Sequence, residues 1–177
     1  MAKERRAVKR RSECPLNASI EILGDRWSLL IVRDMMLRGF KSYKEFMDSY
    51  ERIATNILAD RLRKLEFHGI IEAEADPLDG RKLNYVLTRK GIDLGAVMTE
   101  MVLWAGAHER VENQELIARM RKDKVKFIAE VRAKWEHDRE ERESRREFAK
   151  SESQLREIVK SEPELSGNPR SSIRSQR

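Results

Sequence analysis

Ile53-Ala54-Thr55-Asn56-Ile57-Leu58-Ala59-Asp60-Arg61-Leu62-Arg63-Lys64-Leu65-Glu66 decides the fold, because this run rich in arginine and leucine leads without a gap into a hairpin that reaches residue 85. Leu58, Leu62 and Leu65 recur at helical spacing and form one apolar stripe. At about 100° per residue the opposite face carries Asn56, Asp60 and Arg63, flanked by Ala59 and Lys64. Small or amide groups near the start and cations further on suit the base edges of a DNA major groove. A helix of this kind followed by a hairpin is the order of a winged helix-turn-helix, so the expected fold class is mainly α with a small β-hairpin wing.

Downstream, His68-Gly69 ends the helix, with Gly69 suited to a left-handed C′ position. Residues 70–74 read as a strand, Asp76-Pro77 and Asp79-Gly80 as turn dipeptides, and Leu83, Tyr85 and Leu87 as the buried face of a second strand. Upstream, Ser42-Tyr43-Lys44-Glu45 matches a capping box and opens a short helix through about residue 48, with Phe46 and Met47 inward. Before it, Pro15 starts a helix over residues 16–23 that Gly24 ends, and Asp25 is an N-cap for a helix over residues 26–38 closed by Gly39. Thr88 caps a last domain helix over residues 89–107, whose Leu94, Val97, Met98, Met101, Val102 and Trp104 offer more apolar surface than one small domain needs. The surplus fits either a dimer contact or packing on the same domain.

Apolar periodicity with turn signals runs from about residue 14 to residue 107; beyond it aromatics are few and charges many. Leu116, Ile117, Met120, Phe127, Ile128, Val131 and Trp135 suggest one more amphipathic helix. From Trp135 to Glu147 ten of thirteen residues are charged, and Asp138 with Arg142 and Glu141 with Arg145 are i,i+4 pairs that support helix in water. After Ser161, proline, glycine, serine and arginine predict disorder. The expected organisation is a basic arm over residues 1–13, a winged domain over 14–110, a charged helical extension over 111–160 and a disordered tail over 161–177.

The 177 residues carry a net charge of +6, and its distribution matters more than its total. The first 13 residues hold six Lys or Arg against two Glu, residues 14–107 hold 13 cations against 14 anions, and residues 108–177 hold 18 against 15. A near-neutral domain body cannot be identified as a DNA binder by charge alone, so the placement of cations carries the reading. Cys14 is the single cysteine, which excludes an intramolecular disulfide and points to a reducing cytoplasm. No apolar run is long enough for a membrane span. Catalysis is not expected: His68, His108 and His137 are dispersed, no metal-ligand spacing or phosphate-cradling glycine loop occurs, and no cofactor is implied.

These residues resemble the HxlR-type winged helix-turn-helix transcriptional regulators of bacteria. The resemblance rests on Cys14-Pro15, Ile22-Leu23-Gly24-Asp25-Arg26-Trp27, the run from Leu58 to Glu66, Gly69-Ile70-Ile71, Asn84-Tyr85-Val86-Leu87-Thr88 and Gly91. It covers roughly residues 14–110. It implies a homodimer on double-stranded DNA with a palindromic operator, each subunit placing its second helix-turn-helix helix in a major groove and its hairpin along the backbone. It also implies control of nearby genes in response to a small molecule or an oxidant. Ala54 departs from the family, which often has a serine there to cap the helix, leaving Thr55 or water to serve.

The base-contact candidates are Thr55, Asn56, Asp60 and Arg63, with Asp60 alternatively orienting an arginine. Lys41, Lys44, Arg61, Lys64, Arg81 and Lys82 are candidates for phosphate contacts. Cys14 precedes a helix N-terminus and follows Arg10 and Arg11, an environment that favours thiolate. The resemblance implies an oxidant sensor there; a small, partly buried residue is the plain alternative. The competing functional class is an interaction protein whose winged domain dimerises while the helical extension binds a protein partner.

Overall fold

The computed structural model describes residues 11–76 and 79–161. Most of the expected basic arm, Pro77 of the hairpin turn and the tail from residue 162 lie outside the described residues. The chain divides into two compact units, one through Trp135 and one from Glu136 onward.

The first unit begins with α1 (Pro15–Leu23), where Pro15 occupies the first turn and Cys14 the extended N-cap. The next helix is shorter than expected: α2 spans Ser28–Arg33, and a π-helical turn, Asp34–Arg38, continues it. Its late start has a local cause. One Asp25 carboxylate oxygen accepts from the backbone N–H groups of Trp27 and Ser28, both at 2.9 Å, and so satisfies donors that a helix starting earlier would leave open. Gly39, at φ 73°, closes the π-turn in the left-handed conformation.

The capping box at Ser42 forms as expected and starts α3 (Tyr43–Met47). The turn to α4 (Thr55–Phe67) is fixed from behind by Asp34, which is 3% exposed, ion-paired to Arg33 at 2.9 Å and Arg38 at 3.2 Å, and 3.3 Å from the Ser49 hydroxyl. Ala54 is the N-cap of α4 and no side chain caps that end, so Thr55 is the first helical residue and not a substitute cap. Leu58, Leu62 and Leu65 are buried as the stripe predicts, in one core with Ile31, Val32, Phe46 and Ile71.

The end of α4 is a Schellman motif: Ile70 N–H donates to Leu65 carbonyl at 2.9 Å and Gly69 N–H to Glu66 carbonyl at 2.8 Å, with Gly69 at φ 63°. Ile70 is used there, so β1 starts one residue later than expected, at Ile71–Ala75. It pairs antiparallel with β2 (Leu83–Leu87), Ile71 opposite Leu87. The expected single buried face of β2 is not kept: Leu83 near the tip is exposed, whereas Val86 and Leu87 at the base are both buried. The base is covered on both sides. Tyr85 N–H also donates to the Lys41 carbonyl at 2.7 Å, and Ser42 forms an isolated β-bridge with Asn84, so the lead-in to α3 is pinned to the wing beside its two strands.

Thr88 caps α5 (Arg89–Ile92), and after an interruption at Asp93 the chain continues as α6 (Leu94–His108). The single helix expected over residues 89–107 is therefore two. The single amphipathic helix expected beyond is also two, α7 (Gln114–Lys122) and α8 (Lys124–Ser161), because Asp123 leaves the helical conformation and its carboxylate accepts from Lys126 N–H at 2.9 Å.

The first unit extends past the boundary at residue 110 that composition suggested. Ile117 packs on Gly106 of α6, Phe127 and Met120 are buried, and the buried Trp135 donates its indole N–H to the Leu87 carbonyl at 2.9 Å. Lys124 pairs with Glu100 at 2.6 Å and Arg132 with Asp93 at 2.5 Å. In the second unit α8 carries the i,i+4 pairs Arg139–Glu143 and Arg145–Glu141.

Candidate nucleic-acid interface

Helix α4 offers one face to the core and the opposite face to solvent. On the open face Thr55 and Asn56 are exposed in the first turn, and Asp60 and Arg63 follow one and two turns later, with the Arg63 side chain 76% exposed. Asp60 lies 3.9 Å from the Arg63 guanidinium and 3.4 Å from that of Arg61. The Tyr43 hydroxyl donates to the Thr55 carbonyl at 2.7 Å and holds the start of α4 against α3.

Lys41 and Lys44 are exposed at the start of α3. Glu45 fixes that segment: one of its carboxylate oxygens accepts from the N–H groups of Lys41 at 2.9 Å and Ser42 at 2.7 Å. Partial burial pushes the Glu45 carboxyl up, but those hydrogen bonds outweigh it and hold the group below its ordinary value. At the wing, Arg81 and Lys82 are exposed and share Asp79, at 3.0 Å and 3.4 Å. The Arg81 hydrogen bonds hold the Asp79 carboxyl low. Asp76 braces the hairpin by accepting from the Asn84 amide at 2.8 Å.

Arg61 and Lys64 are placed differently from the other cations. They lie on the flank of α4 between its buried and open faces, with side chains only 24% and 25% exposed, and both converge on Asp25. Lys64 Nζ donates to Asp25 Oδ2 at 3.3 Å, and Arg61 Nε forms an ion pair with Oδ1 at 3.4 Å. Desolvation raises the Asp25 carboxyl, but hydrogen bonds from Ser28, Trp27 and Lys64 prevail and lower it. Sequence reasoning gave Asp25 only a capping role. The signal available was the i,i+3 spacing of Arg61 and Lys64, which puts two cations on one flank.

Cys14 is exposed with a free thiol at the N-cap of α1. Leu16 and Ile20 on α1 are exposed, as are Val97, Met101 and Trp104 on α6, the latter at i, i+4 and i+7. Among the described residues no helix is long and apolar enough to cross a membrane.

A helix-turn-helix, a paired wing and an open polar face on the second helix agree with the family comparison, in which the HxlR-like helix-turn-helix model matches residues 22–114. The chain belongs to the HxlR-like helix-turn-helix family. It is 38% identical over 93 residues to the HTH-type transcriptional regulator YodB of Bacillus subtilis, an alignment covering 52% of this chain and 82% of that one. It is 30% identical over 113 residues to the uncharacterized HTH-type transcriptional regulator YdeP of the same organism, covering 63% and 87%. Among solved structures, the putative transcription factor PA1607 superposes with a TM-score of 0.52 at 34% identity, covering 58% of this chain and 70% of that one. The HxlR-like match ends at residue 114, so α8 lies outside it although its first turns belong to the same compact unit. The chain is a DNA-binding transcriptional regulator of winged-helix type.

Proposed function

We propose that this regulator is a homodimer that recognises a palindromic DNA operator through the open face of α4, and not an enzyme. The observation that carries the reading is the exposed series Thr55, Asn56, Asp60 and Arg63 on a helix whose other face is locked in the core. Asn56 and Arg63 have the hydrogen-bonding patterns suited to adenine and guanine. Lys41 and Lys44, at the start of α3, and Arg81 and Lys82, in the turn leading into β2, supply phosphate contacts. Two copies meet through Leu16, Ile20, Val97, Met101 and Trp104, because such exposed apolar surface is costly in a monomer. The setting is the cytoplasm, where the lone thiol stays reduced.

Selection from a pool of randomised duplexes tests this reading. The expected product is a palindrome whose half-sites lie about 34 Å apart or a multiple of that; a pool with no enriched sequence would overturn it. Arg63→Ala should cost about 1 to 3 kcal/mol of binding and relax one base position. Unchanged affinity and specificity in a gel-shift titration removes Arg63 from the contact set.

The regulator further responds to a small molecule or an oxidant, with Cys14 as the sensing thiol. Its exposure at a helix N-cap supports that role. Oxidant should change DNA affinity or link two subunits through a disulfide, and Cys14→Ser should abolish the response. A Cys14→Ser protein that responds like wild type excludes this thiol.

A further inference from the structure

We propose that Asp25 is a positioning residue for DNA reading: it fixes the rotation of α4 about its own axis by holding Arg61 and Lys64, which therefore act as internal struts and not as phosphate contacts. This rests on the assignment of α4 as the reading helix.

The anchor is rigid at its own end. Asp25 accepts from Trp27 N–H and Ser28 N–H at 2.9 Å each and from the Ser28 hydroxyl at 2.6 Å, and Ser28 is fully buried at the start of α2. Three hydrogen bonds within three residues leave the carboxylate little freedom. The other end is a pair of cations 36 and 39 residues further along the chain, one turn apart on α4. Both are largely covered, whereas Arg63 between them is open.

The stripe Leu58, Leu62 and Leu65 packs α4 on the core, and the charged flank adds a directional restraint that apolar packing alone does not supply. That restraint sets the rotation of α4 about its axis. A side-chain tip about 6 Å from the axis moves about 1 Å for each 10° of turn, which is enough to misplace a hydrogen-bonding site. Specific reading depends on that phase, whereas attraction to the phosphate backbone does not.

The alternative, that Arg61 and Lys64 touch phosphates, predicts the opposite sign. Removing the Asp25 charge would then free two cations and strengthen binding to any duplex. The test uses the full chain, a duplex selected by the wild-type protein and a scrambled duplex of equal length. Asp25→Asn is expected to weaken binding to the selected duplex about tenfold, with scrambled-duplex affinity unchanged or higher. Arg61→Met and Lys64→Met leave the cap of α2 intact and should each lower the ratio of selected to scrambled affinity. Their plots of log affinity against log salt should keep the wild-type slope.

Wild-type or tighter binding of the selected duplex by a folded Asp25→Asn protein would overturn the proposal. So would a salt slope that falls by about one for each cation removed. If Asp25→Asn does not fold, the two methionine variants decide alone. Failure of the wild-type protein to select any sequence would instead reject the reading of α4, so the two failures are distinguishable.

Discussion

Gly91 shows how one hydrogen atom in place of a side chain seats the wing. A Cβ built at Gly91 would lie 2.2 Å from the Ile70 carbonyl oxygen, and that carbonyl also accepts from Thr88 N–H at 3.0 Å. The neighbouring Thr88 hydroxyl donates to the Gly69 carbonyl at 2.7 Å, so the exit of β2 is stitched to the exit of α4 over four residues. Gly91→Ala must push backbone apart where nothing flexible can yield, and is expected to cost about 1 to 3 kcal/mol. Gly80→Ala, with nothing within 4 Å of its new methyl group, should leave stability unchanged. Thermal unfolding of the two variants checks the contrast; equal midpoints would show that the approach at Gly91 is not tight. The sequence motif singled out Gly91, but its partner Ile70 is 21 residues away and only the fold supplies it.

At the scale of elements, local chemistry was the legible part. The capping box at Ser42, the left-handed stop at Gly69 and the stripe on α4 each need only a few neighbouring residues, and each formed as read. What escaped depended on distant partners or on competing local caps: the shortened α2, the breaks at Asp93 and Asp123, and the double burial at the base of β2. The same division holds in the candidate site, where the exposed face of α4 followed from periodicity and the capture of Arg61 and Lys64 by Asp25 did not. The capping box also gives a pH dependence. Glu45 has a lowered carboxyl in the fold, so its stabilisation is complete above the unfolded carboxylate value, about 4.3, and is lost as pH falls through the lower folded value. Glu45→Gln keeps an acceptor but removes the charge. The melting temperature of Glu45→Gln is expected to lie below that of wild type at pH 7, and the gap should close as pH falls below about 4. A gap that persists or widens in acid would mean that the charge of Glu45 contributes nothing to the cap.

For the whole molecule, the instructive residue is Trp135, because composition alone assigned it to a charged extension. Its burial, its bond to the Leu87 carbonyl and the Arg132–Asp93 pair make residues 111–135 part of the unit that carries the wing. Charge density hid this, since the buried Ile117, Met120, Phe127 and Trp135 are scattered among cations and anions along α7 and early α8. Two truncations separate the readings. A chain ending at residue 110 loses the buried Ile117, Met120, Phe127 and Trp135, and at about 2 to 5 kcal/mol for each large apolar side chain removed from a core the loss is comparable to the whole stability of a small domain. It is expected to unfold or aggregate. A chain ending at Arg139, one turn past Trp135, keeps every one of those contacts and should melt within a few degrees of the full chain, with its affinity for the selected duplex retained. Cooperative, full-length-like melting of the shorter chain would return residues 111–135 to the role of an appendage, and loss of DNA binding in the longer one would give residues beyond 139 a part in recognition.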